Sequence, residues 1–178
     1  MNTTREGRAA FGANIVLIGM PGVGKSTVGV VLAKRMGYAF VDSDLLIQAR
    51  EGRLLHELIE AHGIDGFARI ENEVNASIDA ERAVIATGGS AVYGAQAMAH
   101  LRAIGTVVYL YLPCEALADR LGDLNERGVA IRPGQTLPEL FAERAPLYET
   151  YADVTVDCRG KEIRDIVEEI AREGKIKY

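Results

Sequence analysis

Residues Gly19 to Ser26 read Gly-Met-Pro-Gly-Val-Gly-Lys-Ser, a complete G-x-x-x-x-G-K-[ST] pattern. An apolar run (Ile15, Val16, Leu17, Ile18) precedes it and a helical stretch (Thr27 to Met36) follows. A strand, this loop and a helix in that order form a phosphate-binding unit. The glycines let successive backbone N–H groups of Gly22, Val23 and Gly24 point at a polyphosphate, and the helix that follows presents its positive end. Lys25 reaches the β- and γ-phosphates as a point charge, Ser26 supplies a hydroxyl for Mg²⁺, and Thr27 continues the first helical turn beside them. A glycine-rich turn that merely contained a lysine would not need this flanking pattern.

Bulk properties narrow the setting. A chain of 178 residues is expected to form a single domain, residues 1–178, with a substantial core. Its formal net charge of −5 argues against nucleic-acid binding, which needs clustered Lys and Arg in excess. The longest apolar run, Val107 to Leu112, is too short to span a bilayer, and Met1 to Ala13 lacks an apolar signal core. A cytoplasmic enzyme, monomeric and free of membrane partners, is the expectation. Cys114 and Cys158 have no metal-ligand spacing and read as small apolar residues. His56, His62 and His100 show no ligand spacing either.

Five strand-like runs alternate with helical patterns: Asn14–Ile18, Tyr38–Val41, Ala83–Ala86, Val107–Leu112 and Asp153–Val156. Such alternation predicts parallel strands joined by right-handed helical crossovers. The last helix, from about Glu162, aligns Ile163, Ile166, Val167 and Ile170 as a core stripe. Gly122 to Pro138 is irregular and polar, carrying Glu126, Arg127 and Arg132, and reads as a lid or binding loop.

Two strand ends carry further chemistry. The second runs into Asp42-Ser43-Asp44, and carboxyl ends of parallel strands face the binding crevice. Asp42 is placed to hold the metal, and Asp44 to accept a hydrogen bond from an acceptor hydroxyl and act as base. Ser43 or Asp44 also suits a helix cap before Leu45. The third strand ends in Thr87-Gly88-Gly89-Ser90, where glycines let a ligand approach the backbone and Gly89 N–H can meet a γ-phosphate.

The loop, the Asp-x-Asp, the strand ending Thr-Gly-Gly and the segment Arg144-Ala145-Pro146-Leu147-Tyr148 together resemble the shikimate kinase family, in order and in spacing. The resemblance implies a five-stranded parallel sheet of order 2-3-1-4-5 flanked by helices, as in P-loop nucleoside monophosphate kinases. It also implies ATP and Mg²⁺ as cofactors, an acceptor-binding helical region about 43–82 and a lid about 122–138. On the family pattern Lys25, Asp44 and Arg127 are catalytic, Arg127 being the lid arginine that meets transferred phosphate. Arg120 resembles the nucleotide-side arginine before the lid, and Arg144 the arginine that grips the substrate carboxylate. Gly88 and Gly89 match two of three substrate-side glycines.

The pattern breaks in one place. Family members usually read Gly-Glu-x-x-Phe-Arg-x-x-Glu, whereas this chain reads Gly63-Ile64-Asp65-Gly66-Phe67-Ala68-Arg69-Ile70-Glu71. Ala68 takes the place of a second carboxylate-binding arginine, and Ser90 replaces the third glycine. Adjacent helical residues point about 100° apart, so Arg69 is not expected to substitute. Glu71 is thereby expected to face the pocket unpaired, or else to meet solvent, Arg69 or Arg53. Three readings stand at this point. The default is an ATP-dependent kinase of a small hydroxy-carboxylate, shikimate by resemblance. A kinase of a hydroxy amino acid such as homoserine would use Glu71 or Asp65 for the ammonium. A non-catalytic nucleotide-binding regulator would have no need of Asp44 or Arg127.

Overall fold

A computed structural model describes residues 14–121 and 129–176; the side chains of 174–176 lie outside that description. The order is β1 (Asn14–Ile18), α1 (Lys25–Met36), β2 (Ala39–Asp42), α2 (Ser43–Glu51), α3 (Leu55–Ala76) and β3 (Ala83–Ala86). A 3-10 turn (Ala91–Tyr93) leads to α4 (Ala95–Ile104), β4 (Gly105–Tyr111), α5 (Cys114–Leu121), α6 (Leu137–Tyr151), β5 (Val154–Asp157) and α7 (Ile163–Ile176).

The strands form one parallel sheet of order β2-β3-β1-β4-β5, as the resemblance implied. β1 lies at its centre, and every residue from Asn14 to Ile18 is buried. A strand covered by helices on both faces must be apolar throughout rather than alternating, which is why Ile15 to Ile18 reads as an unbroken run. Asn14 is the polar exception. Its Nδ2 donates to Ala80 O at 2.6 Å and Ile104 O at 3.0 Å, and its Oδ1 accepts from Ala83 N at 3.0 Å. One side chain thus fastens the start of the central strand to the chain entering both neighbours.

Boundaries shift against the sequence expectations. β2 runs Ala39–Asp42 rather than Tyr38–Val41, because pairing begins where Ala39 N donates to Arg82 O at 2.9 Å. β4 begins at Gly105, opposite Asn14, and β5 spans Val154–Asp157. α2 starts at Ser43 rather than Leu45, since Asp42 is the capping residue and its Oδ1 accepts from Asp44 N at 3.0 Å. The apolar face of α7 buries Ile166, Val167 and Ile170, but Ile163, in the first turn, is 40% exposed. Cys158 is buried and Cys114 half-buried, both as free thiols. α3 kinks at Gly63, whose φ of 68° is open to glycine at little cost. Among the described residues no helix is long and apolar enough to cross a membrane.

Candidate active site

The carboxyl ends of β1, β2 and β3 open onto one cavity of about 400 Å³. On its nucleotide side stand Gly22, Gly24, Lys25, Ser26 and Thr27; opposite them stand Asp44, Glu71, Gly88, Gly89 and Arg144. Most of the residues singled out from sequence therefore converge on a single space.

Gly24 caps α1 with φ 101°, a conformation that L side chains rarely adopt, and it has no side chain with which to satisfy the helix's first N–H groups. The first turn of α1 contains no acidic residue. Its N–H groups and dipole are left for an anion. The Val23 side chain is buried beneath the loop and its N–H donates to Met20 O at 3.3 Å. It shapes the turn from below.

Lys25 is buried, and its Nζ donates to Gly19 O at 2.8 Å and Met20 O at 2.9 Å. An ammonium has three donors, so one remains for a ligand. Burial lowers its pKa to about 8, against the pull of Asp44, which favours the charged form. Ser26 Oγ donates to Asp42 Oδ2 at 2.8 Å. A hydroxyl and a carboxylate held together at the foot of a phosphate loop are the hard oxygen donors Mg²⁺ takes, with phosphate and water completing its shell. No cluster of three or more His, Cys, Asp or Glu suited to a metal occurs among the described residues, and this mode of Mg²⁺ binding requires none.

Asp44 lies in the first turn of α2, and its pKa is raised, first by burial and then by the neighbouring Asp42, with Lys25 acting in the opposite sense. A Cβ built on Gly88 would lie 2.5 Å from Glu71 Oε1 and 2.9 Å from Asp44 Oδ1. Only a glycine lets the backbone pass so close to both acids. Ser43, buried behind them, accepts from Gly88 N at 3.2 Å.

Glu71 has no ion pair among the described residues, and a hydroxyl contact is added to what was expected of it. It does face the cavity, yet Ser90 Oγ donates to its Oε2 at 2.5 Å; Oε1 is buried without a partner. Neither Arg69 nor Arg53 forms an ion pair with it; both are exposed. Burial drives the Glu71 pKa up to about 7, the Ser90 bond opposing that shift.

Arg144 is 1% exposed, the largest fully buried side chain described. One terminal nitrogen donates to Ala130 O at 2.5 Å, Nε donates to Tyr93 Oη at 3.3 Å, and the guanidinium lies over the Tyr93 ring, 5.3 Å from its centroid. Its other terminal nitrogen faces Gly89, 3.1 Å from where a Cβ would be. Among the described residues no carboxylate lies within ion-pair distance of it. A buried cation without an anion is costly, so the arrangement favours an acidic ligand.

Arg120, expected on the nucleotide side, does not line the cavity. α5 turns Leu117 and Leu121 inward and leaves Arg120 exposed, with its charge felt at Cys158. Arg127 lies outside the described residues. Sequence reasoning missed the supporting side chains: Ser90 for Glu71, Tyr93 beneath Arg144, and Tyr148, whose hydroxyl donates to Gly89 O at 2.6 Å.

The family model described as shikimate kinase matches residues 21–175. A shikimate kinase of Francisella tularensis subsp. novicida is 38% identical over 164 residues, covering 89% of this chain and 92% of that one. One from Geobacter sulfurreducens is 39% identical over 163 residues, covering 90% of each chain. Among solved structures, the shikimate kinase from Acinetobacter baumannii in complex with shikimate superposes with a TM-score of 0.80 at 35% identity, covering 90% of this chain and 91% of that one. That from Aquifex aeolicus gives 0.76 at 32%, covering 90% and 95%.

Proposed function

We propose that this chain, which belongs to the shikimate kinase family and is an ATP-dependent kinase with an alcohol group as acceptor, takes shikimate as that acceptor. The observation that carries the choice is Arg144, a buried guanidinium with no anion, sharing one cavity with Lys25 and Asp44. It calls for an acceptor bearing a carboxylate, with a hydroxyl reaching Asp44.

The amino-acid alternative is less well supported. Its ammonium would need an anionic Glu71, and burial raises that carboxyl's pKa to about 7, which leaves it half protonated near neutrality. Against a regulator without chemistry stands Asp44, an acid kept half-buried beside the phosphate loop where nucleotide binding alone has no use for it.

In this reading the nucleotide's phosphates lie along Gly22 to Thr27, with the N–H groups of α1 and the remaining donor of Lys25 toward them. Ser26 and Asp42 would hold Mg²⁺, which would neutralise phosphate charge. Asp44 accepts a hydrogen bond from the attacking hydroxyl and orients it in line. Gly88 and Gly89 let the acceptor lie against the backbone, and Glu71 receives another of its hydroxyls. The helical region 43–82, which supplies Asp44 and Glu71, is the acceptor side. Arg120 and Arg127 keep their family roles only as part of this proposal.

ADP release measured with shikimate and with homoserine tests the reading. Turnover is expected with shikimate, and Asp44→Asn should lower it by about 10²–10⁴-fold while ATP binding survives. Turnover with homoserine alone, or none with either, overturns the choice of acceptor.

A further inference from the structure

The acceptor cavity does not end at Ser90 and Arg144. Phe67, Ser90, Ala130 and Arg144 border both it and a second hollow of about 190 Å³. Ile64 and Ala68 of α3 and Leu140 of α6 line that hollow and not the main cavity.

The hollow sits at a seam in the packing. Phe67 and Ala130 belong to a small apolar cluster built mainly on Ile47, Leu58 and Val74 of the helical region 43–82. Leu140 belongs to the larger cluster around the sheet. The two clusters meet here without filling the space between them, and position 68 contributes only a methyl group. Protein interiors leave few voids larger than a water molecule. At about 30 Å³ for each water-sized group, this one has room for roughly six heavy atoms.

Polar groups around the hollow are turned to one another. Ser90 Oγ donates to Glu71, and Tyr93 Oη donates to Glu143 while accepting from Arg144 Nε. Gln135 Nε2 donates to Glu143 at 2.9 Å, and its Oε1 accepts from Arg132 N at 3.3 Å. Asp65, Arg132 and Glu143 are exposed and form the rim. The inner lining that remains is hydrocarbon, from Ile64, Phe67, Ala68, Ala130 and Leu140. Such a lining gains from covering an apolar group, whereas a polar one would lose its water without finding partners.

We propose that the hollow takes an apolar substituent carried by the acceptor on the side facing Ala68, so that alkyl-substituted hydroxy acids are acceptors of this kinase. The walls shared with the main cavity make one molecule able to fill both spaces. Ala68 is then a specificity-determining residue, because a larger side chain there would occupy the hollow. This rests on the reading of the acceptor as a carboxylic acid held in the main cavity, and it widens the class of acid.

Steady-state kinetics test it with shikimate and with two derivatives bearing a propyl group on one or the other ring carbon beside the carboxyl-bearing carbon. Both derivatives keep the carboxylate and the hydroxyls. In the unaltered chain at least one is expected to show a KM about 10- to 50-fold below that of shikimate, as three methylene-sized groups leave water. Ala68→Leu should raise that KM at least about tenfold, with Ala68→Val in between. The KM values for shikimate and ATP should stay within about twofold in both variants, which also shows that they fold. A KM for both derivatives equal to or above that for shikimate in the unaltered chain overturns the proposal. So does an equal response of shikimate and derivative to Ala68→Leu and Ala68→Val. Turnover of a derivative without turnover of shikimate supports the hollow and overturns the choice of shikimate. No turnover of any of the three overturns both.

Discussion

The Ser90 hydroxyl donates a 2.5 Å hydrogen bond to Glu71 Oε2, tying the turn after β3 to α3 across the floor of the acceptor cavity. Both residues are buried, and the other Glu71 oxygen has no partner. A serine stands where the family resemblance leads one to expect glycine, and its hydroxyl supplies a hydrogen bond to an acid that no arginine meets.

This pair makes stability depend on pH. Glu71 has a pKa of about 7 in the folded chain against 4.5 for an ordinary glutamate, so the folded chain holds this proton more tightly than the unfolded one. The contribution is fully present below about pH 4.5 and is lost as the pH rises through about 7. Urea unfolding of Glu71→Gln and the unaltered chain should differ increasingly in favour of the variant, by roughly 2–3 kcal/mol at pH 8.5. Ser90→Gly removes the bond that restrains the shift and should steepen the loss. A difference that is the same at pH 5 and pH 8.5 would contradict this account.

At Gly88 the predicted effect is on turnover rather than folding. An alanine Cβ there would press on Glu71 Oε1 and Asp44 Oδ1, and both acids would have to move. A displacement of about 1 Å at a reacting group costs about 100-fold in rate. Gly88→Ala should therefore lose about that much kcat/KM for the acceptor, with little change in KM for ATP. Near-normal acceptor kinetics would show that the two acids are not held as the geometry indicates.

Asp44 should leave its mark on the pH–rate profile. Burial and Asp42 raise its pKa above the ordinary 3.8, and its ionised form is the one that accepts the hydroxyl's hydrogen bond. As pH falls through that raised value, kcat/KM for the acceptor should fall with it. An acid limb at or below the ordinary aspartate value would remove Asp44 from this role.

Asn14 tests the sheet. Its side chain makes three hydrogen bonds, to Ala80, Ala83 and Ile104, from a fully buried position. Asn14→Ala leaves those backbone groups without it and should cost about 2–4 kcal/mol of unfolding free energy in urea. A loss below about 0.5 kcal/mol, the range of ordinary surface substitutions, would mean the groups find other partners.

Much of this was legible beforehand because it depends on short-range chemistry. The phosphate loop, the apolar β1 and the acids after β2 each lie within a few residues of one another, so their spacing carries the signal. Strand ends were less legible: Ala39 rather than Tyr38 begins β2 because its N–H meets Arg82 O, a partner far along the chain. Asp42 looked like a metal ligand, and the structure adds that it also caps α2. Glu71 faces the cavity without an ion pair, as expected, but its hydrogen bond from Ser90 was not legible, because Ser90 is 19 residues away and no local pattern reports a contact across that distance.

By itself the sequence determined the parallel architecture, the phosphate loop and the family, since strand–loop–helix periodicity and glycine placement are properties of neighbouring residues. Only the tertiary structure decided how the acceptor wall is balanced. It buried Arg144 without an anion, gave Glu71 to Ser90, and set Arg132 beside the space left by Ala68. Those relationships join α3, the turn after β3 and the approach to α6. Their energies come from burial and from charges that meet only when the chain has closed on itself.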